Sequence, residues 1–340
     1  MTRHDELISR RRFVRHTAAV GAGLAAGDAL RTTQAATKKQ QALISITLDL
    51  EMMARFPTWD QTHWNYHKGD LDEAAKRYSV AAARRVKARG GVIHFFVVGR
   101  VFEQPNVDWI KELVEAGHPL GNHTYDHVYV LAKERPQVQF LFERAPWLIE
   151  DMEPREAIEK NVRMCTAAIE HRIGIKPDGF RTPGGFANAM NGREDIQQML
   201  LDCGFPWVSC KYPHHPVGEV GAKPTKEILD AIVKSQAEAQ PFVYPTGLVD
   251  VPMSPISDVN AFRRARWGLA DFLHVTRMGV EWAIEHGASF DFLGHPSCLG
   301  VVDPEFRTID LICDLVEKAG DRAAIVDVGT IAARVKDNAG

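Results

Sequence analysis

The chain has 340 residues, of which 45% are apolar, and a formal net charge of −3. Residues 1–36 hold six of the 41 Lys and Arg and three of the 44 Asp and Glu, which leaves 35 basic and 41 acidic side chains in residues 37–340. An acidic chain without a basic stripe argues against nucleic acid or an anionic membrane as a partner. The remaining length suits one large core, because single α/β barrels run to roughly 250 residues.

The first 36 residues have the pattern of an export signal. Residues 9–15, SRRRFVR, closely match a twin-arginine signal, and an Ala- and Gly-rich apolar stretch follows at residues 17–26. Small residues at positions 33–36 suit signal cleavage, and the apolar stretch is too short to stay in a membrane as a span. We therefore predict a twin-arginine signal peptide at 1–36 and one folded domain at 37–340. The mature protein is expected to be periplasmic or secreted, without a membrane span.

Strand-like and helix-like segments alternate along residues 37–340. An apolar run from Leu43 to Leu48 predicts a buried strand, and a polar, aromatic loop at 56–72 follows it. Further strands are predicted at 92–98, 178–181, 207–209, 249–251, 290–293 and 324–326, and helices at 71–89, 109–116, 154–172, 259–285 and 307–318. Repeated β-α units predict an α/β barrel of about seven parallel strands. A doubly wound sheet is the main competitor, but no Gly-rich phosphate loop follows any strand.

The segment from Gly121 to His127 has the most informative spacing. It places His123 and His127 four residues apart, which puts both imidazoles on one face if the segment is a helical turn. Upstream, the first strand ends in Asp49 and Glu51. Two histidines and a carboxylate are the usual ligands of a hydrolytic Zn²⁺ site, and a second carboxylate is what a general base requires. The pattern predicts a metal-dependent hydrolase.

Four segments near the ends of predicted strands carry a family resemblance. They are TLDLE at 47–51, NHTYDH at 122–127, RTPGGF at 181–186 and FLGHP at 292–296. In this order they resemble the polysaccharide deacetylase (NodB-homology) superfamily of carbohydrate esterase family four, over about Leu43 to Val335. The resemblance implies a distorted (β/α)₇ barrel and a metal-dependent enzyme that removes acetyl groups from an N- or O-acetylated glycan, such as peptidoglycan or another cell-envelope polysaccharide.

The resemblance also implies a role for each polar residue of the four segments. Asp49 is expected to be the catalytic base, with Arg181 orienting it. His123 and His127 are expected to hold a divalent metal, for which Zn²⁺ is the default with such ligands. His295 is expected to be the general acid that protonates the leaving amine or alkoxide.

The first of the four segments departs from the family pattern. The family usually has two adjacent aspartates, of which the second binds the metal, but here that position is Leu50. Glu51 lies two residues after Asp49, so both side chains share a face of an extended strand, and we predict Glu51 as the third metal ligand. The alternatives are that Asp49 itself is the ligand, with the base elsewhere, or that the site is inactive.

Some features remain open at this level. Asp250 and Asp291 are candidate partners of His295, and Cys203 and Cys210 either form a disulfide or remain free thiols. The superfamily also contains hydrolases of small cyclic amides and ureides related to allantoinase, which is the second functional hypothesis. A non-catalytic carbohydrate-binding protein is the third. The sequence indicates no oligomeric state.

Overall fold

The computed structural model describes residues 40–52 and 68–339. The predicted signal peptide and residues 56–67 of the predicted aromatic loop lie outside this part. The strands are β1 (Ala42–Leu50), β2 (Ile93–Val97), β3 (Leu120–Asn122), β4 (Phe180–Phe186), β5 (Trp207–Lys211), β6 (Phe242–Val243), β7 (Val249–Asp250), β8 (Ser289–Gly294) and β9 (Ala323–Ile325). The helices are α1 (Glu73–Ala88), α2 (Asp108–Glu115), α3 (Arg135–Val138), α4 (Phe140–Arg144), α5 (Pro154–Ile173), α6 (Glu194–Asp202), α7 (Lys226–Ser235), α8 (Leu269–His286), α9 (Pro296–Val302), α10 (Arg307–Ala319) and α11 (Val328–Ala339).

The sheet curls into a partly closed barrel. Its strands follow the order β6-β7-β5-β4-β3-β2-β1-β8, with β9 paired to β1, and all neighbours are parallel except β6 and β7. Beyond β7, Ser254 bridges toward β8, because its backbone N–H donates to the Asp291 carbonyl over 2.9 Å. The predicted α/β fold, a distorted (β/α)₇ barrel, is confirmed.

Strand β1 shows why polar residues meet inside this barrel. Every residue of the strand is buried, and successive side chains point to opposite faces. Ile44, Ile46, Leu48 and Leu50 belong to the large apolar core that includes residues of the surrounding helices. The alternate positions, among them Thr47 and Asp49, face the barrel interior. Parallel strands direct their carboxyl ends to one rim, so the chemistry of several strands converges there.

The helices form the outer layer, and their ends follow familiar rules. Asp72 caps α1 through a hydrogen bond from the Ala75 backbone N–H, and α5 begins with a capping box of Glu153 and Glu156. It ends at Gly174, whose φ of 84° suits glycine. Among the helices described, none combines the length and apolar character that a membrane span needs.

One predicted helix is divided in the structure. The sequence indicates a continuous helix at 259–285, but a π-helix spans Val259–Arg264 and α8 begins only at Leu269. Between them Arg266 has a φ of 56°, and Gly268 is the N-cap of α8. Asp258 caps the π-helix through a hydrogen bond from the Val259 backbone N–H. The short helices α3 and α4 lie between β3 and α5.

Candidate active site

The end of β1 brings two carboxylates to the rim of the barrel. Asp49 and Glu51 are 4% and 3% exposed, and both line a cavity of about 420 Å³. Leu50, between them, is fully buried in the outer apolar core. Because the strand alternates, position 50 points away from the cavity, and Glu51 is the next residue that reaches it. Although Leu50 replaces the second aspartate of the family pattern, Glu51 therefore supplies a second carboxylate at the site.

The histidine-bearing segment is a loop, and the prediction of a helical turn is wrong. Thr124 and His127 both have a φ of 59°, which a helix does not allow. Asn122 fixes the loop, because its side-chain oxygen accepts from the Thr124 N–H and its amide donates to the carbonyl of Val162. Gly121 is required by close packing, since a Cβ there would lie 2.5 Å from the Phe96 ring.

This loop nevertheless brings the two imidazoles against Glu51. His127 Nε2 lies 2.7 Å from Glu51 Oε2, and His123 Nε2 lies 3.4 Å from the same oxygen. His123 Nδ1 is 3.0 Å from the carbonyl oxygen of Arg181, so an Nδ1–H donated there leaves the Nε2 lone pair facing Glu51. One donor atom from each of the three residues lies within 4.8 Å of the others. The predicted ligands are thus brought together.

The charge states of this cluster suit a divalent cation. Burial alone raises the pKa of Glu51, but the charge of Lys68, with smaller contributions from His127 and His123, outweighs burial and holds that pKa well below its usual range. Burial and the charge of Lys68 lower the pKa of His127 to about 4. Glu51 is therefore ionised and His127 neutral near pH 7. A metal ligand needs these protonation states, so the residues fit the implied metal.

Arg181 is fully buried and joins two carboxylates inside the barrel. Its guanidinium donates to Asp49 Oδ1 over 2.9 Å and to Asp291 Oδ2 over 2.5 Å. It also donates to Thr47 Oγ1 over 2.7 Å and lies 4.2 Å over the ring of Phe96. The contact with Asp49 is the one the family resemblance implies. Asp291 has its role here, beside Arg181, and does not contact the imidazole of His295.

His295 has a carboxylate partner that the sequence did not suggest. Its Nδ1 lies 2.8 Å from Asp258 Oδ1, and its backbone N–H donates to Asp258 Oδ2 over 2.7 Å. The two candidates Asp250 and Asp291 are both wrong. Asp250 instead accepts from the hydroxyl of Tyr244 over 2.6 Å. Asp258 lies directly before the π-helix and is 37 residues from His295 in the chain, so sequence periodicity did not indicate the pair.

The imidazole of His295 faces the two carboxylates of β1. Its Nε2 lies 3.9 Å from Asp49 Oδ2 and 3.6 Å from Glu51 Oε1. Burial lowers the pKa of His295, but the Asp258 carboxylate, with smaller contributions from Glu51 and Asp49, raises it to about 9. The ring is therefore protonated at neutral pH and presents an Nε2–H to the cavity.

This raised pKa predicts how stability depends on pH. The pKa of His295 in the folded protein exceeds its value of about 6.5 in the unfolded chain. The stabilisation that protonated His295 gives the fold is therefore complete below pH ~6.5 and is lost as the pH rises through 9. We expect metal-free protein to lose up to about 3 kcal/mol of its free energy of unfolding over this range. Urea denaturation at several pH values in EDTA measures it.

Two variants test whether the pair of Asp258 and His295 causes this pH dependence. Asp258→Asn should remove most of the pH-dependent loss, because the imidazolium then lacks its nearest counter-charge. Asp108→Asn is the matched control, since Asp108 pairs with Lys111 on the surface and its side chain is 70% exposed. Equal slopes in wild type and Asp258→Asn would show that Asp258 does not hold the proton on His295.

The cavity is also lined by side chains to which the sequence analysis assigned no role. Lys68 lies at its base, with Nζ 2.5 Å from Glu51 Oε1 and no exposed side-chain surface. Tyr212, His214 and Arg264 also line it. A lysine after a long polar loop carries no sequence signal of burial. His94 and His118 are buried, and Cys203 and Cys210 are free thiols rather than a disulfide.

Comparison with known proteins bears on the same site. None of the curated proteins matches this sequence. The family model for polysaccharide deacetylase matches residues 70–201. Over these residues the chain is similar to polysaccharide deacetylases. The match includes His123, His127 and Arg181, whereas Asp49, Glu51 and His295 lie outside it.

Solved structures show the fold over most of the chain. A candidate polysaccharide deacetylase from Mycobacterium smegmatis is 16% identical with a TM-score of 0.57, covering 89% of this chain and 93% of its own. One from Pseudomonas aeruginosa PAO1 is 13% identical with a TM-score of 0.56, covering 86% and 90%. The Puue allantoinase is also 13% identical with a TM-score of 0.56, covering 87% and 91%. At these identities the similarity establishes the polysaccharide deacetylase fold alone.

Proposed function

We propose that this protein is a metal-dependent hydrolase that removes acetyl groups from an N- or O-acetylated glycan of the cell envelope. The observation that carries the proposal is the placement of Asp49 and His295 beside the cluster of Glu51, His123 and His127. The Asp49 carboxyl group and a protonated imidazole then face one cavity, with their reactive atoms 3.9 Å apart. A base and an acid at one reacting centre are what acyl hydrolysis requires.

The donor atoms of the cluster suit a divalent metal. Glu51, His123 and His127 would hold it, and Zn²⁺ is the ion these donors favour. When bound, such an ion polarises an acyl oxygen and makes a water molecule a better nucleophile. Asp49 then serves as the base through its Oδ2 atom. Arg181 donates to Oδ1, whereas Oδ2 faces the imidazoles of His123 and His295 over 3.7 and 3.9 Å.

The proton transfers follow from this geometry. Asp49 Oδ2 accepts a proton from the attacking water as the water oxygen bonds to the acyl carbon. His295 then donates its Nε2 proton to the leaving nitrogen or oxygen as the bond from that atom to the acyl carbon breaks. Asp258 holds Nδ1, so Nε2 is the nitrogen that faces the reaction. The products are acetate and a free amine or alcohol.

We also propose that the enzyme acts outside the cytoplasm. The support is the twin-arginine pattern at residues 9–15 together with the small residues at 33–36. Export favours a glycan over small ureides, since these are normally processed in the cytoplasm.

Acetate release tests the function. Purified mature protein loaded with Zn²⁺ is expected to release acetate from acetylated chitooligosaccharides or from purified peptidoglycan. Treatment with EDTA should abolish release and added Zn²⁺ should restore it, because the metal polarises the acyl group. Allantoin and cyclic imides serve as the competing substrates. Hydrolysis of these alone would contradict the glycan proposal and favour the small-amide hydrolase; binding of glycan without turnover would favour a binding protein.

A further inference from the structure

Lys68 is a fully buried cation within the candidate metal cluster. Its Nζ lies 2.5 Å from Glu51 Oε1, and the two side chains are 0% and 4% exposed. The backbone is tied to the same residue, because the Gly69 N–H donates to the Glu51 carbonyl over 2.7 Å. Gly69 has a φ of 88°, and a Cβ there would lie 2.3 Å from the Cβ of Arg100. The turn that carries Lys68 is therefore fixed against the end of β1.

The two oxygens of Glu51 have different neighbours. Oε1 contacts Lys68, while Oε2 faces the Nε2 atoms of His127 and His123 over 2.7 and 3.4 Å. Oε2 is thus the oxygen available to a cation held with the two imidazoles. The other oxygen, Oε1, is already paired with a cation of the protein itself, the Lys68 ammonium.

We propose that Lys68 is a built-in counter-cation of Glu51 that opposes the divalent metal and sets the affinity of the site for it. This inference rests on the ligand set of the proposed function. The ammonium and the ion would share one carboxylate in a buried place, where like charges repel strongly. Glu51 would also offer less negative charge to the metal, since part of it is balanced by Lys68.

A second effect acts in the opposite direction and is smaller. Lys68 also orders the Glu51 side chain, and ordering helps a ligand to bind. Without the ammonium, however, Glu51 keeps its contacts with His127 and His123 and its backbone tie to Gly69. Little order is lost, so the relief of charge repulsion dominates. Removing the charge while keeping the side-chain volume should therefore strengthen metal binding.

Zn²⁺ titration of EDTA-stripped protein, followed by isothermal calorimetry, tests this. We expect Lys68→Met to bind Zn²⁺ at least about tenfold more tightly than wild type, and Lys68→Arg to stay within about threefold. Lys68→Gln, which removes the charge but retains a donor for Glu51, should behave as Lys68→Met and serves if the latter does not fold. Lys76→Met is the matched control, because Lys76 pairs with the exposed Glu73 on α1; its affinity should equal that of wild type.

Thermal melting gives a second readout that does not depend on activity. Without metal, Lys68→Met should melt below wild type, because the buried Glu51 carboxylate loses its counter-charge. Added Zn²⁺ should raise the Tm of this variant more than that of wild type. A purely structural lysine would lower the Tm with and without Zn²⁺ alike.

The outcomes separate this inference from the proposed function. Unchanged or weaker Zn²⁺ binding by both Lys68→Met and Lys68→Gln overturns the role of Lys68, even if wild type releases acetate. The role of Lys68 is also overturned if none of the variants binds Zn²⁺. Tighter binding by the two variants supports it, even if no acetylated glycan is a substrate.

Discussion

Asp49→Asn is expected to lower kcat/KM for acetate release by about 10²- to 10⁴-fold, the usual contribution of a positioned general base. The amide keeps the shape of the carboxylate, and its oxygen still accepts from the Arg181 guanidinium. It cannot take a proton from water near neutral pH. The measurement is the initial rate of acetate release by zinc-loaded protein at several concentrations of an acetylated chitooligosaccharide.

Two controls show what such a loss means. Asp108→Asn, on the surface, should leave the rate unchanged. Asp49→Asn should still bind Zn²⁺, with a lower affinity because one nearby negative charge is removed, since Glu51 and not Asp49 lies closest to both imidazoles. A variant that loses activity and zinc together would make Asp49 a metal ligand. Full activity in Asp49→Asn would remove it from the mechanism.

The alternation of β1 explains why the predicted residues of this strand meet at one site. A strand has a period of two, so a sequence that reads as buried β-structure already assigns Asp49 and Glu51 to one face and Leu50 to the other. The parallel order of strands then brings the ends of β1, β4 and β8 to the same rim. The expectation that Arg181 and His295 act beside Asp49 came from the family resemblance, and the shared rim explains why their side chains can meet there.

Residues outside regular elements were less predictable. A spacing of four suggested a helix for His123 and His127, but the hydrogen bonds of Asn122 hold the segment as a loop with two left-handed residues. Asp258 is the partner of His295 although 37 residues separate them in the chain. Lys68 follows a segment without periodicity, so nothing in the sequence indicated its burial. The contacts of Asp258 and Lys68 join positions distant in the chain, which local patterns do not predict.

Arg181 provides the largest expected effect on stability. Both of its carboxylate partners are buried, so Arg181→Met leaves Asp49 and Asp291 without their shared counter-charge. Breaking a buried ion pair by removing one partner typically costs about 3–5 kcal/mol. We expect a loss of that size in the free energy of unfolding, measured by urea denaturation at pH 7.5 and followed by circular dichroism. Arg85→Met is the matched control, because its pair with Asp310 is partly exposed, and it should cost about 0–1 kcal/mol.

The pH dependence of that loss identifies its cause. Burial raises the pKa of Asp291 above its usual range even with Arg181 present, and the variant should raise it further. A carboxyl whose folded pKa is raised stabilises the fold below its unfolded pKa, and this stability is lost as the pH rises through the folded value. The deficit of Arg181→Met should therefore shrink as the pH falls toward about 4. Adding Asp291→Asn should recover part of it at pH 7.5. If the deficit changes neither with pH nor with the second substitution, it would instead reflect lost packing against Phe96, and the ion pairs of Arg181 would not be its cause.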